Sequence, residues 1–129
     1  AITMKERAWL LQKRYRLKNP AAIRAAYKIH NIISDNNVCI YLGREKSDPS
    51  FFTRFAFIVS KKVHKRAVVR NRIKRYMRET IRLAIKNNEL AGMHKYLSIT
   101  CLAKDGAVSA SSAEIKNSLY NLLDKKLHF

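Results

Sequence analysis

The stretch RAVVRNRIKRYMRE, residues 66–79, concentrates positive charge on a segment with the pattern of an amphipathic helix. Six of its fourteen residues are Lys or Arg, and its only acid is Glu79. Like charges one helical turn apart destabilise an isolated helix by roughly 0.2–0.5 kcal/mol per pair. Because Glu79 alone compensates locally, with Arg75 or Arg82 as its expected partner, the pattern predicts that an external polyanion binds this face.

The other face of the same helix carries a stripe of side chains that can pack into a core. At 100° per residue the stripe falls within about 100° of arc, and its members are Val69, Ile73, Tyr76, Met77, Thr80 and Ala84. Upstream, VSKKVHKRA (59–67) joins a predicted strand to the helix and adds further lysines. Backbone N–H groups at a helix N-terminus can hold phosphates. The sequence therefore predicts a phosphate-binding ridge on an otherwise ordinary packed helix.

The charge of the whole chain points to the same kind of partner. Its 129 residues include 27 Lys and Arg against nine acids, a formal charge of +18, and 47% of the residues are apolar. A folded body with that imbalance favours nucleic acid over an acidic protein as its partner. No apolar run approaches the roughly 18–20 residues of a membrane span, and no secretory signal pattern is visible. We expect a cytoplasmic protein without a membrane partner, in which Cys39 and Cys101 are buried, reduced thiols.

The remaining sequence predicts a small α/β (α+β) two-layer sandwich. Asn19-Pro20 is an N-cap followed by proline at the first helical position, and Ser111 with Glu114 forms a capping box for a final helix. Segments rich in β-branched and aromatic residues predict strands at 38–42, 53–60 and 96–102. With one further strand this gives a sheet of about four strands in the order α-β-β-(β)-α-β-α. The chain is expected to be a single domain, 1–129, with a flexible basic segment at 1–13.

VSKK followed by RNRIKRxxRE resembles the signature of the bacterial ribonuclease P protein subunit, and the resemblance extends over roughly residues 14–127. It implies a ribosomal-protein-S5-like fold with a left-handed crossover through the basic helix. It also implies a protein cofactor of a catalytic RNA that removes the 5′ leader of precursor tRNA. The implied partners are ribonuclease P RNA and precursor tRNA, with no obligate protein partner, and Mg²⁺ is held mainly by the RNA.

The resemblance also assigns roles to individual residues. Contacts to the catalytic RNA are expected from Lys61, Lys62, Lys65, Arg66, Arg70, Asn71, Arg72, Lys74, Arg75 and Arg78. Contacts to the leader are expected from Arg16, Ile23, Tyr27 and Tyr41, with Ile23 standing where the family usually has Phe. The residues themselves support such a groove, because tyrosines interleaved with arginines and lysines supply flat faces for bases and cations for phosphates.

Nothing in the sequence predicts chemistry by the protein itself. A protein nuclease needs clustered carboxylates for metal ions or an acid–base pair. The nine acids are scattered, and His30, His64, His94 and His128 show no ligand spacing. We therefore expect no catalytic residue and no metal site in this chain. A ribosomal-type RNA-binding protein, a stand-alone basic nuclease and a DNA-binding basic helix are the alternatives.

Overall fold

The computed structural model of the chain describes residues 13–29, 31–48 and 50–127. These residues form an α+β fold in the order α-β-β-β-α-β-α, so the predicted sandwich with a four-stranded sheet is confirmed. The elements are α1 (Pro20–Ile29), β1 (Asn31–Ser34), β2 (Val38–Leu42), β3 (Arg54–Ile58), α2 (Ala67–Lys86), β4 (Ser98–Ala103) and α3 (Ser112–Leu127). The basic helix of the sequence analysis is α2.

The sheet is mixed, with the strand order β1-β2-β4-β3. β2 is antiparallel to both of its neighbours, whereas β3 and β4 are parallel. Parallel neighbours cannot be joined by a tight turn, and the 20 residues of α2 lie in the crossover between them. The basic helix is therefore tied at both ends to adjacent strands.

Alternation along β2 separates the two faces of the sheet. Val38, Ile40 and Leu42 are fully buried, whereas Cys39 and Tyr41 point to the other face and are half-buried. The buried face packs against α2 and α3, whose core side chains are Ile73, Met77, Ile81, Ala84, Ile115, Leu119, Leu122 and Leu123. The short helix α1 lies on the other face, which leaves that face only partly covered.

The predicted helix caps are confirmed. The Ala21 N–H donates to Asn19 Oδ1 at 2.9 Å, just before the first turn of α1. The Glu114 N–H donates to Ser111 Oγ at 3.2 Å at the start of α3, and the Ser111 hydroxyl donates to Glu114 Oε1 at 3.3 Å. These bonds satisfy first-turn groups that the helices cannot pair internally.

Three details of the predicted strands need correction. The strand predicted at 53–60 is shorter, and the one predicted at 96–102 begins at Ser98 and runs to Ala103. The strand β1 was not located by the sequence, because its four residues hold only two apolar side chains and lie at the sheet edge. Its hairpin turn lies at SDNN, residues 34–37, where Asp35 Oδ1 accepts the N–H groups of Asn37 and Val38.

The chain before α1 protects the outer edge of β3. Arg16 pairs with Phe55 in a parallel bridge, and the Leu17 N–H donates to the Phe55 carbonyl at 2.7 Å. Of the basic segment predicted at 1–13, only Lys13 belongs to the described residues, so its flexibility and the extent of the domain there stay predictions. Within the described ranges, no helix has the length and apolar character needed to span a bilayer.

Both cysteines are free, but their surroundings differ. Cys101 lies opposite Ile40 on the core side, and burial raises the pKa of its thiol to about 12. Cys39 is only half-buried on the open face, which corrects the prediction that both thiols are buried. Burial also raises the pKa of Cys39, although the nearby Lys104 and a hydrogen bond with Tyr41 oppose the rise.

Candidate nucleic-acid interface

One face of α2 presents a row of polar and cationic side chains to solvent, which we call the α2 ridge. Its members line a shallow depression and are Val68, Asn71, Arg72, Arg75 and Arg78. They recur three or four residues apart, so they lie one above another on the helix. The opposite face of α2 is packed into the core, and the row is therefore held in a fixed geometry.

The connection at 61–66 continues the positive surface past the N-terminus of α2. Its exposed cations are Lys61, Lys62, Lys65 and Arg66. The Arg66 N–H donates to His64 Nδ1 at 3.1 Å, but no side chain caps the helix and no acid lies in its first turn. The positive end of the helix dipole is thus uncompensated and adjoins the four cations.

The two arginines of the RNR motif bind carbonyl groups of the protein. Arg70 Nη1 donates to the carbonyls of His64 at 3.0 Å and Lys65 at 2.6 Å. Arg72 Nη2 donates to the Val108 carbonyl at 3.2 Å, and its buried Nε has no hydrogen-bond partner among the described residues. A guanidinium has five N–H donors. Each arginine therefore braces a loop while retaining donors for another partner.

The single acid of the motif is paired with the next turn of the helix. Arg82 Nη2 lies 2.6 Å from Glu79 Oε1, and Arg82 Nε lies 3.1 Å from Oε2. This bidentate hydrogen bond raises the pKa of Arg82. Of the two partners predicted for Glu79, Arg82 is thus the observed one. Arg75 is exposed and makes no hydrogen bond or ion pair with the part of the chain that the structure describes.

A second feature, the tyrosine groove, lies between α1 and the open face of the sheet and is defined by Ile23, Tyr27, Cys39 and Tyr41. The rings of Tyr27 and Tyr41 meet edge to face, with centroids 4.8 Å apart. Ile23 lies one turn before Tyr27 on the same flank of α1. Burial, followed by the neighbouring Tyr41 and Cys39, raises the pKa of Tyr27. Like an unperturbed tyrosine hydroxyl, that of Tyr27 is protonated near neutral pH and can donate a hydrogen bond.

Arg16 lies in a different depression from Tyr27 and Tyr41. It shares a depression of about 290 Å³ with Arg78, at the end of the α2 ridge, and with Leu17 and Ala56. Burial lowers the pKa of Arg78, and the positive charge of Arg16 lowers it further. Two guanidinium groups that line the same depression favour the binding of an anion there. The four residues predicted for the leader thus divide between the tyrosine groove and the end of the ridge.

Comparison with known proteins identifies the family of the chain. The Ribonuclease P family profile matches residues 11–127. The chain is 35% identical over 111 residues to the ribonuclease P protein component of Clostridium kluyveri, covering 86% of this chain and 93% of that protein. The chain belongs to the ribonuclease P protein family. It is accordingly a subunit of an endoribonuclease that acts in tRNA 5′ processing, as its RNR motif predicted.

Solved structures of the family have the same fold. The Staphylococcus aureus RNase P protein superposes with a TM-score of 0.70 at 26% identity, over 87% of this chain and 94% of that one. The Thermotoga maritima RNase P protein gives a TM-score of 0.68 at 18% identity, over 85% and 98% of the two chains. The second match extends the likeness of fold to a more divergent sequence.

The ten residues predicted to bind the catalytic RNA lie close together in the chain of this family member. All ten belong to α2 or to the connection before it. Lys74 is half-buried, like the braced Arg70 and Arg72, whereas Asn71 and Arg75 are exposed. The contact of each residue with RNA stays a prediction. What the sequence did not reveal is that the arginines on either side of Asn71 also hold the loops around the ridge.

Two further surface features escaped the sequence analysis. Val68 is 79% exposed within the ridge, where an apolar side chain can contact a ribose or a base. Tyr15 pairs edge to face with Phe52, and the Arg14 guanidinium lies 4.8 Å from the centroid of the Phe52 ring. Val68 could have been identified from the sequence, because it lies outside the packing stripe of α2. The pairing of Tyr15 with Phe52 could not, because 37 positions separate the two residues in the chain.

The described acids and imidazoles lie scattered over the fold. Among residues 13–29, 31–48 and 50–127, no three His, Cys, Asp or Glu side chains lie close enough together to bind one. His64 supports the loop through its acceptor nitrogen, and Glu79 is paired. His30 and His128 lie outside the described residues. The expected absence of a metal site and of catalytic residues in this chain stays a prediction.

Proposed function

We propose that the α2 ridge and the connection at 61–66 bind ribonuclease P RNA, while the tyrosine groove binds the 5′ leader of precursor tRNA. The protein then assists endonucleolytic removal of the leader without supplying a catalytic group. Mg²⁺ is held mainly by the RNA partner, because the described carboxylates and imidazoles offer it no cluster. We place this activity in the cytoplasm, where precursor tRNA is processed in bacteria.

The α2 ridge carries this proposal. A folded RNA presents phosphates at fixed positions, and a helix packed into the core presents cations at fixed positions in return. Arg75 and Asn71 are exposed, and the braced Arg70 and Arg72 add donors at either side. Binding by such a surface is largely electrostatic and weakens steeply as salt rises.

The tyrosine groove supports the second part of the proposal. Single-stranded nucleic acid binds where aromatic faces accept bases and nearby cations hold phosphates. Tyr27 and Tyr41 supply two rings and two hydroxyls, and Lys104 lies close enough to Cys39 to influence its pKa. Arg16 and Arg78 lie together in a separate depression at the end of the α2 ridge. A strand that extends from the groove to this depression would thus have cations on both sides of the tyrosines.

Reconstitution with a bacterial ribonuclease P RNA tests the proposed function. We expect the protein to restore leader cleavage at a low Mg²⁺ concentration at which the RNA alone is slow, and to cleave nothing by itself. Cleavage of precursor tRNA would be measured with and without protein. Unchanged cleavage by the RNA would reject the proposal and favour a ribosomal-type RNA-binding protein. Cleavage by the protein alone would instead identify a stand-alone nuclease.

Replacing Tyr27 tests the groove separately from the ridge. Tyr27→Ala should weaken holoenzyme affinity for precursor tRNA by roughly 1–3 kcal/mol, the typical contribution of one stacked base, while affinity for mature tRNA stays unchanged. Tyr27→Phe keeps the ring and is the matched control. Equal losses for precursor and mature tRNA would mean that Tyr27 only packs against Tyr41.

A further inference from the structure

Helix α1 has two flanks, and the tyrosine groove uses only one of them. Ala26 is buried and faces the sheet. At 100° per residue, Ile23 and Tyr27 lie to one side of Ala26, whereas Ala22 and Ile29 lie to the other. A second groove, which we call the reverse-flank groove, opens along that other side.

The reverse-flank groove combines an apolar floor with a cationic rim. Its volume is about 720 Å³, within the range of ligand-binding clefts. The floor is formed by Leu17, Ala22, Ala25, Ala26, Ile29, Gly43, Leu97 and Ser98. The rim carries Lys28, Arg44 and Arg54, none of whose side chains makes a hydrogen bond or ion pair with the described residues. Small residues in the floor let a flat group approach the backbone.

The acids nearest to this rim in the chain have other partners. Glu45 follows Arg44, but its carboxylate lies 3.1 Å from Lys95 Nζ. Asp48 accepts the Ser50 N–H at 2.9 Å within its own loop. Among the described residues that line the groove there is no Asp or Glu. We therefore expect an external anion to neutralise Lys28, Arg44 and Arg54, as we do for the cations of the α2 ridge.

The groove is continuous with the ridge through two shared residues. Arg78 belongs both to the ridge and to the depression that contains Arg16. Leu17 belongs both to that depression and to the reverse-flank groove. The described residues that line these three surfaces include no Asp or Glu, so a strand leaving the ridge at Arg78 would meet no acid there as it passes Arg16 and Leu17 toward the groove.

An aromatic pair lies close to the groove lining along the chain. Tyr15 and Phe52 pair edge to face, Tyr15 two residues before Leu17 and Phe52 two residues before Arg54. Phe52 is 48% exposed, and Arg14 lies over it. Exposed rings with adjacent guanidinium groups are typical of single-strand binding surfaces.

We propose that the reverse-flank groove is a second binding site for single-stranded RNA, distinct from the tyrosine groove. Bases would lie against the apolar floor, and phosphates would bind Arg44, Arg54 and Lys28. The site rests on the proposed function insofar as the holoenzyme brings the RNA to it. The charge of +18 disfavours a second copy of the chain as the occupant. Continuity with the ridge favours a polymer over a small anion.

Site-specific photo-crosslinking in the reconstituted holoenzyme tests this proposal. Leu97, which is 39% exposed in the groove, would be replaced by p-benzoylphenylalanine, and Ile23 in the tyrosine groove would receive the same probe as a control. We expect the probe at Leu97 to crosslink to RNA at nucleotides different from those reached from Ile23. Crosslinks from Ile23 alone, or crosslinks from Leu97 only to protein, would overturn the second site. Loss of crosslinks from both positions would overturn the proposed function as well.

A pair of substitutions measures the contribution of the rim. Removing two phosphate contacts to a single strand should lower affinity roughly tenfold at 0.15 M salt and flatten the slope of log K against log salt by about 1.4. We expect this loss of holoenzyme affinity for precursor tRNA in Arg44→Ala/Arg54→Ala. Lys86→Ala/Lys125→Ala removes the same charge from exposed positions elsewhere on the chain and should change affinity less than twofold. Equal losses in the two variants would show that Arg44 and Arg54 contribute only to the overall positive field of the protein, and would overturn the proposed site. Arg44→Lys/Arg54→Lys keeps the charge and should retain most of the affinity.

Discussion

Helices α1 and α2 both belong to the proposed RNA-binding surface, but they differ in how many side chains they bury. α2 buries Ile73, Met77, Thr80, Ile81 and Ala84, whereas α1 buries only Ala26. The sheet face below α1 also contains Thr100, whose hydroxyl is buried and lacks a hydrogen-bond partner in the described residues. A buried hydroxyl without a partner costs about 1–3 kcal/mol. Since α2 also has a buried donor without such a partner, Arg72 Nε, the contrast between the two helices rests on the number of side chains that each one buries.

The difference matches the two kinds of RNA that the helices are proposed to bind. A structured RNA keeps its phosphates at fixed distances, so a rigid ridge such as α2 meets it without reorganising. A single strand varies in base and path, and a short helix that covers little of the sheet leaves room on both flanks. The two helices therefore differ in packing as well as in charge.

The largest expected effect tests that contrast in packing. Met77→Ala removes a fully buried side chain from the stripe of α2 and should lower the free energy of unfolding by about 2–5 kcal/mol. Ile23→Ala on the half-buried flank of α1 should cost clearly less, about 1 kcal/mol. Urea denaturation of the two variants measures both losses. Equal costs would show that α1 is anchored as firmly as α2 and would break the comparison.

A smaller effect separates support from contact within the ridge. Arg72→Ala removes the hydrogen bond to the Val108 carbonyl and should lower the free energy of unfolding by about 1 kcal/mol, in addition to weakening RNA binding. Arg75→Ala should weaken RNA binding with no loss of stability, because Arg75 has no partner among the described residues. Denaturation and RNA titration would be run on both variants.

The conservative variants sharpen this result. Arg72→Lys retains the charge but lacks the planar fork, so it should recover RNA affinity better than stability. Arg75→Lys should behave as wild type in both measurements. If Arg72→Ala is as stable as wild type, the bond to Val108 contributes nothing, and both arginines of the pair act only on RNA.

Most of the fold could be predicted from hydrophobic periodicity and helix capping. The core stripes of α2 and α3 and the caps at Asn19 and Ser111 follow from residues close together in the chain. The strand β1 could not be predicted in this way, since four residues with two apolar side chains are too few to show a strand pattern. Ile81 was left out of the predicted stripe of α2 although it is fully buried.

The candidate site was predictable where it is local and hidden where it is not. The ridge lies on one helix, so its cations could be read from spacing along the chain. The reverse-flank groove joins residues from the N-terminal segment, α1, the β2–β3 loop and β4. Their juxtaposition depends on sheet register, which pairs Arg54 with Ser98 across 44 positions. The bonds that engage Arg70 and Arg72 are likewise properties of loops that no local pattern encodes.

The smallest effect compares the two faces of the sheet through their cysteines. Cys39 faces the tyrosine groove and is half-buried, whereas Cys101 lies in the core with a thiol pKa of about 12. Only the thiolate reacts with iodoacetamide. Because burial raises the pKa of Cys39, its alkylation should accelerate as the pH rises through that raised pKa, and Cys101 should react only on unfolding.

At a fixed pH near 8.5, precursor tRNA bound in the holoenzyme should slow labelling of Cys39 severalfold, and mature tRNA should not, since only the precursor has a leader to cover the groove. Mass spectrometry of the two cysteine peptides over time measures both rates, and Cys39→Ser identifies the signal. Equal protection by the two RNAs would place the leader outside the tyrosine groove. The contrast between α1 and α2 would then hold for packing but not for the kind of RNA that each helix binds.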